Sequence, residues 1–250
     1  MIIGTHNILG LSIAVTSLEK ATDHVIQDVL ACRKGYVCAA NVHMCMESSD
    51  DPVFRDIVNN AGLIVPDGKP LYWWMKSLGE TQANQIRGPD LFLSLCKEAE
   101  RQGISIALYG GTRNTVERLE VFLHEKYPAL NIARAISPPF RVLTEAEEKS
   151  LVDDLNSSGA RIMFVALGCP KQEKWMAAHK NVLDPVMVGV GAAFDFYAGT
   201  IPVAPEWMRN AGLEWLHRFA SEPKRLWKRY LWNNPRFILH YVKAVFSKSK

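Results

Sequence analysis

The chain has 250 residues, 48% of them hydrophobic and 22% charged, which is enough to bury a globular core. Its five cysteines are odd in number and form no CxxC pair, so a disulfide framework or zinc site is not expected and a reducing compartment is. The apolar start is interrupted by Thr5, His6 and Asn7 with no basic region before it, and no run of about 18 apolar residues offers a membrane span.

Five short, continuously apolar runs read as strands: residues 35–40, 61–65, 105–109, 161–167 and 185–190. They end at Asn41, at Pro66-Asp67-Gly68, at Gly110-Gly111, at Gly168 and at Gly191. Helical patterns lie between them. Val116, Leu119, Phe122 and Leu123 recur at three- and four-residue spacing. Thr144 followed by Glu147 reads as a capping box that opens a helix through Leu151 and Leu155. Apolar strands separated by helices predict an α/β fold, with a Rossmann-like parallel sheet covered on both faces.

Pro202 and Pro205 mark a change of character. Residues 1–202 form the expected α/β catalytic domain, and residues 203–250 an expected basic, amphipathic, helical appendage. From Trp207 onward ten Lys/Arg face only Glu214 and Glu222, a net of +8, whereas the remainder holds 19 basic against 24 acidic residues, a net of −5. Leu213, Leu216, Phe219, Leu226, Tyr230 and Leu231 fall at helical spacing among Arg218, Arg225, Lys228 and Arg229. Nine aromatics, four of them Trp, lie between Trp207 and Phe246. Apolar rings and cations on one segment suit an anionic membrane surface; the alternative is that the rings pack on the body and the basic face is merely solvated.

In open α/β sheets ligands collect where strands end and helices begin. The polar groups placed there are Asn41 and His43, Asp67, Thr112 and Arg113, and Lys171, Gln172 and Glu173. Arg87, beside Gly88, adds a phosphate-binding candidate. Each has a plainer reading: Asp67 a turn residue, Gln172 or Asn41 a cap or Asx-turn, Lys171 a solvated side chain. Tyr109-Gly-Gly-Thr112 is a strand–glycine–helix turn able to receive a phosphate, but no Gly-Lys-Ser/Thr follows, which argues against a P-loop. Gly189-Val-Gly191 begins a dinucleotide fingerprint that Phe194 breaks at the third glycine, which weakens a nucleotide-dependent oxidoreductase. A non-catalytic membrane adaptor would leave the polar strand ends without a role, and no nucleic-acid-binding fold motif accompanies the basic tail.

Taken in order, Asn41, Val-Pro-Asp-Gly68, Arg87-Gly-Pro-Asp-Leu91, Leu-Tyr-Gly-Gly111, Leu-Gly-Cys-Pro-Lys-Gln-Glu173, Gly189-Val-Gly-Ala-Ala-Phe-Asp195, Gly-Leu-Glu-Trp-Leu-His-Arg218 and Glu222-Pro-Lys-Arg225 resemble the WecG/TagA/CpsF glycosyltransferase family over almost the whole chain. The resemblance implies a bacterial, inverting, metal-independent hexosyltransferase without a cofactor. It would move N-acetylmannosamine, its uronic acid or a hexose such as glucose from a UDP donor to an undecaprenyl-diphosphate-linked saccharide during cell-surface polysaccharide synthesis. Asp67 would then be the general base, with Gln172 and Asn41 beside it in the catalytic set. Arg87, Gly110, Gly111, Lys171, Arg218, Arg225 and Lys228 would hold the donor and its diphosphate. The location implied is cytoplasmic, peripheral to the inner face of the plasma membrane, and a homo-oligomer is compatible with the sequence. Three positions depart from the family pattern: Ala39 stands where Thr is usual, Val203 where Arg is common, and Lys228 where a third Arg is common.

Overall fold

The computed structural model describes residues 3–247, so Lys248 and Lys250 of the basic tail lie outside the described residues. An antiparallel hairpin, β1 (Thr5–Ile8) and β2 (Leu11–Ala14), comes first. Its two-residue turn has both Leu9 (φ 52) and Gly10 (φ 87) in the left-handed region, as a tight hairpin connection requires. Helix α1 (Leu18–Leu30), capped by Ser17, leads to β3 (Tyr36–Ala40). Helices α2 (Val42–Asp50) and α3 (Pro52–Asn59) precede β4 (Leu63–Pro66). Then α4 (Lys69–Ser77) and α5 (Gly88–Gln102) precede β5 (Ile106–Gly110), and α6 (Arg113–Lys126) precedes β6 (Ile132–Ile136). The capping box at Thr144 and Glu147 opens α7 (Glu145–Ser157), which is followed by β7 (Ile162–Ala166). The remaining elements are α8 (Lys171–His179), β8 (Val186–Gly189), α9 (Ala193–Tyr197), α10 (Glu206–Asn210), α11 (Glu214–Ser221) and α12 (Pro223–Ser247).

Strands β3 to β8 form one six-stranded parallel sheet in the order β4-β3-β8-β7-β5-β6. Alternate strand residues serve opposite faces. Val37, Leu108, Phe164 and Val188 join Val25, Leu95, Leu119 and Phe194 from α1, α5, α6 and α9. Cys38, Tyr109, Val165 and Met187 join Met44, Phe54, Met75, Leu155 and Met176 from α2, α3, α4, α7 and α8. Every residue of β4, β5 and β8 is buried, which is why these strands read as unbroken apolar runs. The sheet is the Rossmann-like one expected. Two features escaped the sequence reading: the β1–β2 hairpin, and the edge strand β6, whose Arg134 interrupts an otherwise apolar run.

The C-terminal segment packs on the body through α12, which lies along α2. Leu226, Tyr230, Asn233 and Phe237 recur every three or four residues and are buried. Phe237 and Tyr241 meet the Trp74 ring edge-on at 5.1 and 5.4 Å, and Arg236 donates to Asp50 at 2.8 Å. The other side of the helix exposes Trp227, Leu231, Trp232, Ile238 and Leu239. Some of the tail's rings therefore pack on the body and others face outward. No described helix is long and apolar enough to cross a membrane.

Candidate functional site

The order β4-β3-β8-β7 puts four strand ends side by side, and the residues just beyond them build the site. Asn41 caps α2 by accepting from the Met44 N–H at 3.3 Å, and its amide Nδ2 reaches Asp67 Oδ2 at 3.5 Å. Asp67 is held from several sides. Its own N–H donates to Ala40, its carbonyl accepts from Gln85, and its Oδ1 accepts from the Gly88 N–H at 3.0 Å. Burial, and next the nearby Glu214 carboxylate, push the Asp67 carboxyl up to about 6, against the opposing pull of Gly88, Arg87 and Asn41.

Gly88 itself lies against the backbone of β8's end: a Cβ there would stand 3.2 Å from the Val190 carbonyl. The next residue, Gly191, donates its N–H to Gln172 Oε1 at 3.1 Å. Gln172 is buried, and its Nε2 donates to Glu173 Oε1 at 2.9 Å. Its amide thus ties α8 to the end of β8. Gly189 makes the room, because a Cβ there would collide with Gln172 Nε2 and stand 2.9 Å from Met176 Cε. Glu173 is fully buried with Oε2 unpartnered, and burial raises its pKa.

The appendage closes over this floor. Glu214 accepts from Arg87 through Nε at 3.1 Å and NH2 at 3.0 Å, while Asp90 takes the NH1 at 3.4 Å. Arg218 sits over the Phe196 ring at 5.5 Å, and its Nε is buried without an acceptor. The same holds for the Nε atoms of Arg209 and Arg229. Arg229 lies within electrostatic reach of Arg218, Cys169, Asp67, His43 and Glu173.

A model of the glycosyl transferase WecG/TagA/CpsF family matches residues 6–250. The chain belongs to this family of glycosyltransferases. It is also similar to the N-acetylglucosaminyldiphosphoundecaprenol N-acetyl-beta-D-mannosaminyltransferase of Bacillus spizizenii, at 26% identity over 248 residues, covering 98% of this chain and 94% of that one.

Against the glycosyltransferase expectation, the structure brings Asn41, Asp67 and Arg87 to one place, sets Gln172 at the neighbouring end of β8, and puts Arg218 over the Phe196 ring. Other candidates stand elsewhere. Lys171, Arg225 and Lys228 are exposed, and Arg225 pairs with Glu222 at 2.7 Å. Gly110 serves strand packing, since with φ at +130° any Cβ would meet the Ala166 carbonyl. The Gly111 N–H is taken by that same carbonyl at 3.2 Å. Arg87 is neutralised by Glu214 and latches the appendage to the body. Arg229 takes the inward position that Lys228 was expected to fill. The signal that could have found it is helical register: Arg229 lies three residues after Leu226 and four before Asn233, both buried. A cavity of about 520 Å³ opens separately beside β6 and α7, lined by residues including Tyr109, Ser137, Leu143 and Asp154, and none of the predicted site residues lines it.

Proposed function

We propose that this glycosyltransferase moves a sugar from a UDP donor to a saccharide carried on undecaprenyl diphosphate, by single displacement with inversion. The observation that carries the reading is Asp67: a carboxylate at a strand end, pushed up to about 6 by burial and by Glu214, with Asn41 and the Gly88 N–H on its oxygens and Arg87 close by. A base of that strength is mostly ionised at pH 7 yet still accepts a proton readily. Asp67 takes the proton from the acceptor hydroxyl as its oxygen forms the bond to the anomeric carbon. The bond from that carbon to the diphosphate oxygen breaks, its electron pair leaves on the diphosphate, and UDP departs. Arg218 stabilises the charge that develops there. The name of the Bacillus spizizenii relative supports an N-acetylmannosamine donor; N-acetylmannosaminuronic acid and glucose are the other donors to try.

A reaction run on arginine cations should survive a chelator. The exposed Trp227, Leu231 and Trp232, with the surrounding cations, support peripheral contact with an anionic membrane. Replacing all three by Ser should release the protein from anionic vesicles without unfolding it; undiminished sedimentation with vesicles contradicts the membrane assignment. The reaction itself is tested by UDP release from a panel of UDP-sugars with a detergent-dispersed undecaprenyl-diphosphate-linked acceptor. Release that depends on one donor and on acceptor supports the reading, and donor hydrolysis independent of acceptor goes against it.

A further inference from the structure

Gln172 and Glu173 are both buried in the first turn of α8. The Gln172 amide is engaged at both ends: its Oε1 accepts from the Gly191 N–H at 3.1 Å, and its Nε2 donates to Glu173 Oε1 at 2.9 Å. A side-chain amide can be turned over, exchanging oxygen for nitrogen, so its partners set its orientation. Gly191 offers a donor and Glu173 an acceptor, and only the observed orientation satisfies both. The amide lies directly against β8, since Gly189 has no Cβ to collide with it. Cys38, Cys169 and Tyr36, with the Arg229 charge, make up the titratable surroundings of Glu173. Burial raises the Glu173 pKa, yet the bond to Gln172 does not depend on ionisation, because Oε1 accepts whether the carboxyl is neutral or charged.

The consequence reaches Asp67 through the end of β8. Gly191 follows Val190, and the Val190 carbonyl is the group that Gly88 packs against: a Cβ on Gly88 would stand 3.2 Å from its oxygen. That same oxygen accepts from the Ala193 N–H at 3.2 Å. The Gly88 N–H donates to Asp67 Oδ1 at 3.0 Å and pulls the pKa of that carboxyl down, against burial and Glu214. Moving the end of β8 therefore moves the seat of a donor that both aims and acidifies Asp67.

We propose that Glu173 is a positioning residue for the transfer: its Oε1 fixes the Gln172 amide, the amide holds Gly191 at the end of β8, and that end seats Gly88, whose N–H orients Asp67. The effect on turnover rests on the reading of Asp67 as the base. The effects on the Gly191 amide and on the protonation of Asp67 do not.

The test compares the full chain with Glu173→Leu, which removes the acceptor, and Glu173→Gln, which keeps one. Hydrogen exchange of the Gly191 amide and the carbon-13 shift of the Asp67 carboxyl against pH are followed by NMR without any substrate. Glu173→Leu should speed Gly191 exchange by roughly tenfold or more and move the Asp67 titration up by roughly half a unit or more, as the Gly88 donor loosens. Its kcat should fall roughly 10- to 100-fold with the KM for the UDP-sugar within about twofold, since aim is lost and binding is not. Glu173→Gln should restore all three. If Glu173→Leu does not fold, Gln172→Met, which removes the amide itself, should give the same exchange and titration changes beside a wild-type-like Glu173→Gln. Gly191 exchange and Asp67 titration unchanged in the folded variant that lacks the acceptor or the amide overturn the proposal. So does a Glu173→Gln variant as impaired as Glu173→Leu. If the wild type transfers no sugar yet the NMR changes appear as stated, the positioning of Asp67 by Glu173 stands and the transferase reading fails.

Discussion

Replacing Asp67 by Asn removes the proposed base and, by the same physics, should stabilise the fold at neutral pH. The Asp67 carboxyl has a pKa of about 6 in the folded protein against an ordinary 3.8. A folded-state pKa above the unfolded one means that the native state binds more protons between those values. Stability then falls as pH rises from about 4 to about 6, and the full penalty is present above that window. A shift of roughly two units corresponds to about 3 kcal/mol as an upper bound, at 1.36 kcal/mol per unit. The neutral amide escapes this penalty. It keeps an acceptor for the Gly88 N–H but loses the long contact from Asn41, since two amide N–H groups then face each other. We expect a net gain of about 1–2 kcal/mol at pH 8, or about 2–8 °C in Tm for a chain of this size, and no gain at pH 4. Thermal unfolding followed by circular dichroism from pH 4 to pH 8 measures it. An Asn variant that is less stable at pH 8, or whose Tm difference does not change with pH, would refute the reasoning.

Three further outcomes follow from the geometry. Glu214→Gln removes a charge that raises the Asp67 pKa and frees Arg87, which lowers it, so the acid limb of the transfer rate should move to lower pH; a limb that stays in place or rises argues against this coupling. Gly189→Ala places a Cβ against Gln172 and Met176, and should lower stability by about 1–3 kcal/mol while displacing the amide from Gly191, read by denaturant unfolding and by transfer rate. Phe237→Ala empties the buried contact with Trp74 and should destabilise the protein by about 3–5 kcal/mol in the same unfolding assay, loosening α12 from the body.

The sheet was legible because burial on both faces leaves strands with continuous apolar runs, as in 106–110 and 162–166. It was not legible at its edge, where β6 is only half-buried and can carry Arg134, whose charge is met by Asp154 at 2.9 Å. The β1–β2 hairpin was hidden for another reason: its turn is Leu9-Gly10 rather than Asn-Gly, and its strands mix His6 and Asn7 with apolar residues. Asp67 and Asn41 were visible as polar residues at apolar strand ends. Their roles were not, since a Pro-Asp-Gly turn looks the same whether or not its carboxylate is buried. Arg225, Lys228 and Arg229 differ only in helical phase, and that phase is set by Leu226, Tyr230, Asn233 and Phe237 docking on the body. Adjacent cations in a sequence point about 100° apart on a helix, so Arg229 is partly buried while Lys228 faces solvent.

The central claim is that Asp67 takes the acceptor's proton in a sugar transfer from UDP. The most direct measurement is the pH dependence of kcat/KM for transfer to an undecaprenyl-diphosphate-linked saccharide, in the wild type and in Asp67→Asn. The account predicts a wild-type rate that falls below a pKa of about 6, and an Asn variant slowed by at least about 100-fold, with no such limb and with UDP affinity retained. An Asn variant with near-wild-type turnover, or a wild-type rate flat from pH 5 to pH 8, would contradict it.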